Sequence, residues 1–230
     1  MVSVDHRARF TGDDSWTDAS GVTALPAYVL TADHRVPDFD RWWSLVRAQE
    51  STLAALIARP LLVYRGLSDP NRVFLSMGIG ARDPLDEVLR SGAIVDWFAT
   101  AGVEDVPPVF VGRDGDRFAS PQPDDSLSSP PEVIVATVAL VPDPDAVMGL
   151  ITRDVERIRA RGVRETWIYR ALDDASEVLV VLALDSVEHA ATWLERSAVF
   201  SNRLAGVDDG VHPPVFAGIL SGTVEPDRLR

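Results

Sequence analysis

The chain has 230 residues, of which 46% are apolar, and it carries a formal net charge of −13. An acidic surface repels phosphate backbones and anionic lipid, so nucleic acid and membranes are poor partners. The chain has no cysteine, which excludes disulfides, thiolate zinc sites and iron–sulfur clusters.

The amino-terminal stretch, residues 1–24, is polar with little periodicity and is predicted to form a loosely packed arm. Its first residues, "MVSVDHRARFTGDDSW", lack the basic-then-apolar order of a signal peptide. No segment approaches the ~20 apolar residues that a membrane span needs. A cytoplasmic protein is therefore expected.

Residues 25–113 are predicted to form a unit of six elements. Pro37-Asp38 follows the first apolar strand, and an acidic side chain is favoured at the positive end of a helix. Two apolar runs then flank the turn "SDPN" and indicate a hairpin. The order is β-α-β-β-α-β, the ferredoxin-like unit. The predicted spans are 27–35, 38–58, a strand around Tyr64, a strand from 72, 83–101 and 108–112.

Residues 131–222 repeat the phrases of the first unit at a constant offset of 105. The phrase "AGVEDVPPVFVG" also returns as "AGVDDGVHPPVFAG". A period above 100 residues indicates a duplicated domain, not a solenoid. Residues 114–130 are predicted to be a linker and 223–230 a tail. The matching pairs are Val36/Val141, Asp38/Asp143, Tyr64/Tyr169, Arg65/Arg170 and Asp69/Asp174.

Two strands of the second unit, "VIVATVALV" and "EVLVVLAL", are apolar on both faces. A sheet of this kind must be covered on both faces. Helices cover one face, and the sheet of the other unit is available for the second. The predicted fold class is therefore α+β, with two ferredoxin-like βαββαβ repeats that form a barrel within one chain.

This element order, the duplication and the phrase "TWLERSAVFSNRLAGV" resemble the dimeric α+β-barrel superfamily, which includes antibiotic-biosynthesis monooxygenase-type and EthD-type domains. The phrase "FDRWW" is similar to an EthD-type pattern, although Arg47 stands where that pattern has a histidine. The resemblance implies a ligand cavity between sheet and helices. It also implies activities that range from cofactor-free oxygenation to haem binding.

Two ionisable residues differ between the repeats and are candidate catalytic groups. Glu50 falls where the second repeat has Val155, on the core-facing stripe of the first helix. A carboxylate buried there would have a raised pKa and suit general-base work; otherwise it lies at the edge of the stripe and reaches solvent. His34 ends the first strand and corresponds to Ala139 in the second repeat. It lies either at the mouth of a cavity or in a solvated loop.

Aromatic side chains concentrate in the first repeat, and they are either core or the wall of a pocket for a flat ligand. Trp43, Tyr64 and Trp97 are the expected pocket walls. In the second repeat, Trp193 and Asn202 are candidate substrate-binding residues. By the resemblance, monooxygenase-type cavities also use side chains that can form hydrogen bonds at the last helix.

No metal or haem site is expected. His189 and His212 do not form a ligand spacing with other residues. Leu204 stands where haem-degrading relatives, by the resemblance, have an axial histidine.

Three functions remain open from the sequence. The first is a small-molecule enzyme, in the manner of a cofactor-independent monooxygenase, acting on an apolar, aromatic or polyketide-like substrate. The second is a non-catalytic binding module for an apolar ligand or a haem-like cofactor. The third is a duplicated scaffold. In each case the barrel is expected within one chain, and a homodimer would use other surfaces.

Overall fold

The computed structural model describes residues 28–57, 60–80, 82–90, 92–103, 107–119, 130–196 and 215–225. The predicted arm, residues 1–24, lies outside these ranges, as do residues 226–230 of the predicted tail. None of the helices in the described ranges is long and apolar enough to cross a membrane.

The first half has the predicted order of elements, with both helices interrupted. Asp38 caps the first helix by accepting a hydrogen bond from the Arg41 amide at 2.8 Å. The bounds are β1 Tyr28–Arg35, α1 Phe39–Ala48, α2 Glu50–Leu56, β2 Leu61–Gly66, β3 Arg72–Ile79, α3 Arg82–Arg90, α4 Ala93–Thr100 and β4 Val109–Ala119.

The second half follows the same order. Its first helix is interrupted at Asp154, which is the residue 105 positions after the interruption at Gln49. The predicted second helix, 185–205, is described only as far as residue 196. The bounds are β5 Val133–Leu140, α5 Pro144–Arg153, α6 Val155–Arg159, β6 Val163–Ala171, β7 Glu177–Leu184, α7 Val187–Glu195 and β8 Val215–Val224.

The eight strands close into one antiparallel barrel in the order β1-β3-β2-β8-β5-β7-β6-β4. Each half supplies four consecutive strands, β4-β1-β3-β2 and β8-β5-β7-β6, and the halves join at two seams, β2·β8 and β4·β6. The predicted α+β fold, with its barrel inside one chain, is therefore confirmed.

Strand β4 continues to Ala119, six residues into the stretch predicted as a linker. It does so because it pairs with β6 of the other half, with Arg117 opposite Trp167 and Ala119 opposite Glu165. The Pro/Ser/Asp-rich composition that suggested a linker begins only after this paired segment.

The two apolar faces of the sheet bury two different layers. Inward-facing side chains fill the barrel with aromatic and aliphatic groups, among them Tyr64, Phe74, Tyr169 and Phe216. Outward-facing side chains pack under the helices as a separate core in each half. The turn aspartates shared by the halves have a structural role, because Asp69 and Asp174 each accept a backbone amide hydrogen bond inside a hairpin turn.

Barrel closure at the β2·β8 seam depends on close backbone approach, and we expect Gly218→Ala to destabilise the protein. A Cβ at Gly218 would lie 2.5 Å from the Phe216 ring and 2.7 Å from the Arg65 carbonyl oxygen. Overpacking of this kind costs about 1–3 kcal/mol, measurable as a lower denaturation midpoint in urea.

The matched control is Gly149→Ala, where an added Cβ has nothing within 4 Å on the exposed face of α5. Alanine is favoured over glycine in a helix by about 0.5–1 kcal/mol, so this variant should be slightly more stable. Equal stability of Gly218→Ala and the unaltered protein would contradict the tight seam.

Candidate functional site

His34 lies near the end of β1 and faces the helices, not the barrel interior. Its side chain is 8% exposed. Its ring makes edge contacts with Trp42 of α1 at 5.7 Å and with Phe98 of α4 at 5.2 Å between ring centroids. The alternative of a solvated loop histidine is therefore wrong, because α1 and α4 cover the end of the strand.

Burial keeps the imidazole of His34 neutral. Desolvation lowers its pKa from 6.5 to about 4, and the neighbouring Asp33 offsets only part of this effect. Neither Nδ1 nor Nε2 has a hydrogen-bond partner in the described part of the chain. A buried polar group without a partner is costly and calls for an explanation, such as a ligand.

Other buried donors without partners lie in the same layer between sheet and helices. Among the described residues, six buried side-chain polar atoms lack a hydrogen-bond partner, and five of them belong to the first half. These are both ring nitrogens of His34, Nε1 of Trp42, Nε1 of Trp97 and Nε2 of Gln49. Indole and amide nitrogens donate only, so the neutral imidazole supplies the acceptor of this set.

Aromatic rings surround these donors. Trp97 packs edge-on against Phe98 at 4.9 Å, and Trp42 lies beside Trp43 at 6.3 Å. The Trp43 indole rests on the backbone of Gly222, where a Cβ would come within 2.3 Å of the ring. The Trp43 side chain therefore packs against strand β8 of the second half, at the edge of this layer.

Glu50 is not on the buried stripe. It is the first residue of α2 and is exposed. The expected continuous helix over 38–58 is interrupted at Gln49, whose φ of −107° and ψ of 13° are not helical, so the α1 register ends before residue 50. Gln49, and not Glu50, carries the buried polar group on this side.

Two other predicted wall residues lie elsewhere. Tyr64 points into the barrel, on the opposite face of the sheet from His34, where burial raises its pKa. Trp193 belongs to the core of the second half, and its Nε1 donates to the Arg161 carbonyl oxygen at 3.2 Å. Asn202 lies outside the described residues.

The structure therefore brings His34, Trp97 and Trp43 into one layer, and it adds Trp42, Phe98 and Gln49, which sequence reasoning did not single out. A signal for Gln49 was present in the sequence. It follows Trp42 and Val46 at helical spacing, so it is a polar residue on an apolar stripe.

Within residues 130–196 and 215–225, the second half has no counterpart of the His34 and Trp42 pair. Ala139 occupies the position of His34 and is 2% exposed. The imidazole of His189 is held within its own helix cap, with Nδ1 2.6 Å from Asp185 Oδ1 and 3.2 Å from Ser186 Oγ.

Within the described ranges, no group of three or more potential metal-ligating side chains comes together. Leu204 and His212, on which the haem and metal expectations depended, fall outside those ranges.

The fold has counterparts among solved structures. An anthrone oxidase-like protein superposes with a TM-score of 0.64 at 10% identity, over 89% of this chain and 97% of that chain. A monooxygenase candidate from Fusobacterium nucleatum subsp. nucleatum gives 0.54 at 9% identity, over 87% and 95%. A chlorite dismutase candidate gives 0.51 at 13% identity, over 84% and 94%.

The sequence itself matches no protein-family model and no curated protein. At identities this low, the superpositions establish architecture and not activity. The chain has the dimeric α+β-barrel fold, with both halves of the barrel supplied by one polypeptide.

Proposed function

We propose that the protein is a small-molecule enzyme that oxygenates an apolar aromatic or polyketide-like substrate, with His34 as the general base. The reaction takes place between the sheet and the helices of the first half. The observation that carries the proposal is a buried neutral imidazole with both nitrogens unpartnered in the described part of the chain, next to two unpartnered indole N–H groups.

The environment of His34 suits removal of a proton from an acidic carbon. The imidazole is neutral at physiological pH and can accept a proton. In an empty site the imidazolium is disfavoured by desolvation. Once the substrate becomes an anion, the imidazolium gains a counter-charge in surroundings of low dielectric constant, which raises its pKa and favours the transfer.

The indole donors provide the second requirement. Deprotonation next to a carbonyl group moves negative charge onto the carbonyl oxygen, and fixed N–H donors stabilise charge that develops there. Nε1 of Trp42 and Nε1 of Trp97 are buried donors available for this purpose. No reorganisation of water is needed when the donors are already desolvated.

The proposed chemistry uses dioxygen as the co-reactant. A CH₂ group flanked by aromatic rings or a carbonyl loses a proton to His34, and the carbanion adds to O₂ to form a peroxide, which takes up a proton. The peroxide then breaks its O–O bond and loses its remaining C–H proton. One oxygen stays as a ketone and the other leaves as water, so that R₂CH₂ + O₂ gives R₂CO + H₂O.

Support for this class of reaction comes from the named structural counterparts, which include an anthrone oxidase-like protein and a monooxygenase candidate. Anthrone, a flat three-ring ketone with an acidic CH₂ group, is therefore the first substrate to test. We further infer a cytoplasmic location and an origin by internal duplication. Any homodimer would form through surfaces other than the barrel seams.

Burial of neutral His34 makes stability depend on pH in a definite direction. The pKa is about 4 in the folded protein and 6.5 ordinarily, so below pH 6.5 the unfolded chain binds a proton that the folded protein does not. The free energy of unfolding therefore has its full value above pH 6.5, where His34 is neutral in both states, and it decreases as the pH falls from 6.5 towards 4. Between pH 7.5 and 5, the unaltered protein should lose about 2 kcal/mol more than His34→Phe.

Urea denaturation of both proteins at the two pH values measures this difference, since ionisation of all other groups is common to both. Parallel pH dependence of the two proteins would show that His34 titrates normally in the folded state.

His34→Gln should lower the rate of anthrone oxidation by about 10²–10⁴-fold, which is the usual contribution of a positioned base. Oxygen uptake and quinone absorbance, corrected for the spontaneous reaction, measure the rate. Glu50→Gln is the matched control, since Glu50 is exposed and its variant should retain the full rate.

If His34→Gln keeps the rate while Glu50→Gln loses it, the base assignment is wrong. Binding of anthrone without turnover would favour the binding module. The absence of any binding, measured by quenching of tryptophan fluorescence, would favour the scaffold.

A further inference from the structure

Gln49 places a second hydrogen-bonding group in the same layer as His34. Trp42, Val46 and Gln49 follow one another at positions i, i+4 and i+7, so Gln49, the half-buried residue that ends α1, lies on the same side of the helix as the two buried residues. Nε2 of Gln49 is buried and has no hydrogen-bond partner among the described residues. Trp42 and Val46 are themselves 2% and 0% exposed.

Both backbone hydrogen-bonding groups of Gln49 have partners, so the group that lacks one is Nε2 of the side chain. Its amide N–H donates to the Val46 carbonyl oxygen at 3.0 Å, and its carbonyl accepts from the Leu53 amide at 3.1 Å. The helix interruption therefore needs nothing from the side-chain amide. An unpaired buried amide costs about 1–3 kcal/mol, and a ligand acceptor would remove that cost.

The distance between the two groups sets the length of a ligand that reaches both. Gln49 lies seven positions after Trp42, which corresponds to a helical rise of about 10.5 Å. His34 contacts the ring of Trp42, so it belongs to one end of this span, and Gln49 belongs to the other. The side chain between them on the helix face is the apolar Val46.

We propose that the first-half site binds an elongated, flat molecule with an acceptor oxygen at each end, about 10 Å apart. One oxygen and the reacting carbon lie at His34 and the indoles, and the far oxygen accepts a hydrogen bond from Gln49 Nε2. The proposal rests on the proposed function for the location of the reacting end. The far end is set by Gln49 alone, and since its N–H₂ group donates, it selects a carbonyl oxygen over an alkyl group.

Equilibrium binding of two rigid probes tests the proposal without any turnover. The probes are 2,6-diacetylanthracene, with a carbonyl at both ends, and 2-acetyl-6-isopropylanthracene, which has nearly the same shape and one carbonyl. The unaltered protein should bind the diacetyl probe about five- to tenfold more tightly, the effect of one neutral hydrogen bond. Quenching of tryptophan fluorescence measures both dissociation constants.

Gln49→Met keeps the length of the side chain and removes its amide, so it should abolish the preference between the probes. Arg47→Met is the matched control, because Arg47 is exposed two positions away on α1, and the preference should persist. If Gln49→Met does not fold, as judged by circular dichroism, Gln49→Glu replaces it. The carboxylate introduced by Gln49→Glu accepts hydrogen bonds and cannot donate one to the far carbonyl, so this variant should also lose the preference for the diacetyl probe.

Equal binding of the two probes by the unaltered protein would overturn the proposal, and so would a preference that survives in the Gln49 variant. Failure of the proposed function is distinguishable from both. If His34→Gln keeps its oxidation rate and the probe preference still depends on Gln49, the catalytic base is wrong and the recognition of the far oxygen stands.

Discussion

Burial of a sheet with two apolar faces is the constraint on which the rest of this structure depends. Helices can cover only one face of each four-stranded half, so the second face must be covered by the other half. Closure along β2·β8 and β4·β6 meets this need and leaves no free strand edge among the paired strands. The barrel interior is then filled with aromatic side chains, which leaves the layer between sheet and helices as the place where the halves can differ.

The halves do differ in that layer. Under the helices of the second half, Ala139 and Val147 fill the positions that His34 and Trp42 occupy in the first. At these two positions the second half packs apolar groups where the first half holds hydrogen-bonding groups that lack partners among its described residues.

Sequence patterns predicted the element order and the closure of the barrel within one chain. They could not predict that Tyr64 faces the barrel interior. A strand that is apolar on both faces gives no signal for which alternate residues point into the barrel and which point towards the helices. They misplaced Glu50 because a helical stripe was extended through the interruption at Gln49, and the interruption has no proline or glycine to mark it. His34 could be singled out as a difference between the halves, but its burial depends on α1 and α4 packing over the strand end.

The contact between Trp43 and Gly222 means that the two halves are no longer interchangeable. Across the β2·β8 seam, Gly222 pairs with Val63, and the corresponding pair across the β4·β6 seam is Asp116 with Ile168. A barrel assembled from two copies of the first half would therefore bring Asp116 to the position of Gly222. Any residue with a Cβ at that position would meet the Trp43 indole, which leaves no space for one. Two copies of the first half could therefore not close the same barrel with the Trp43 indole in its present position, and the second half is needed to supply a glycine beneath this ring.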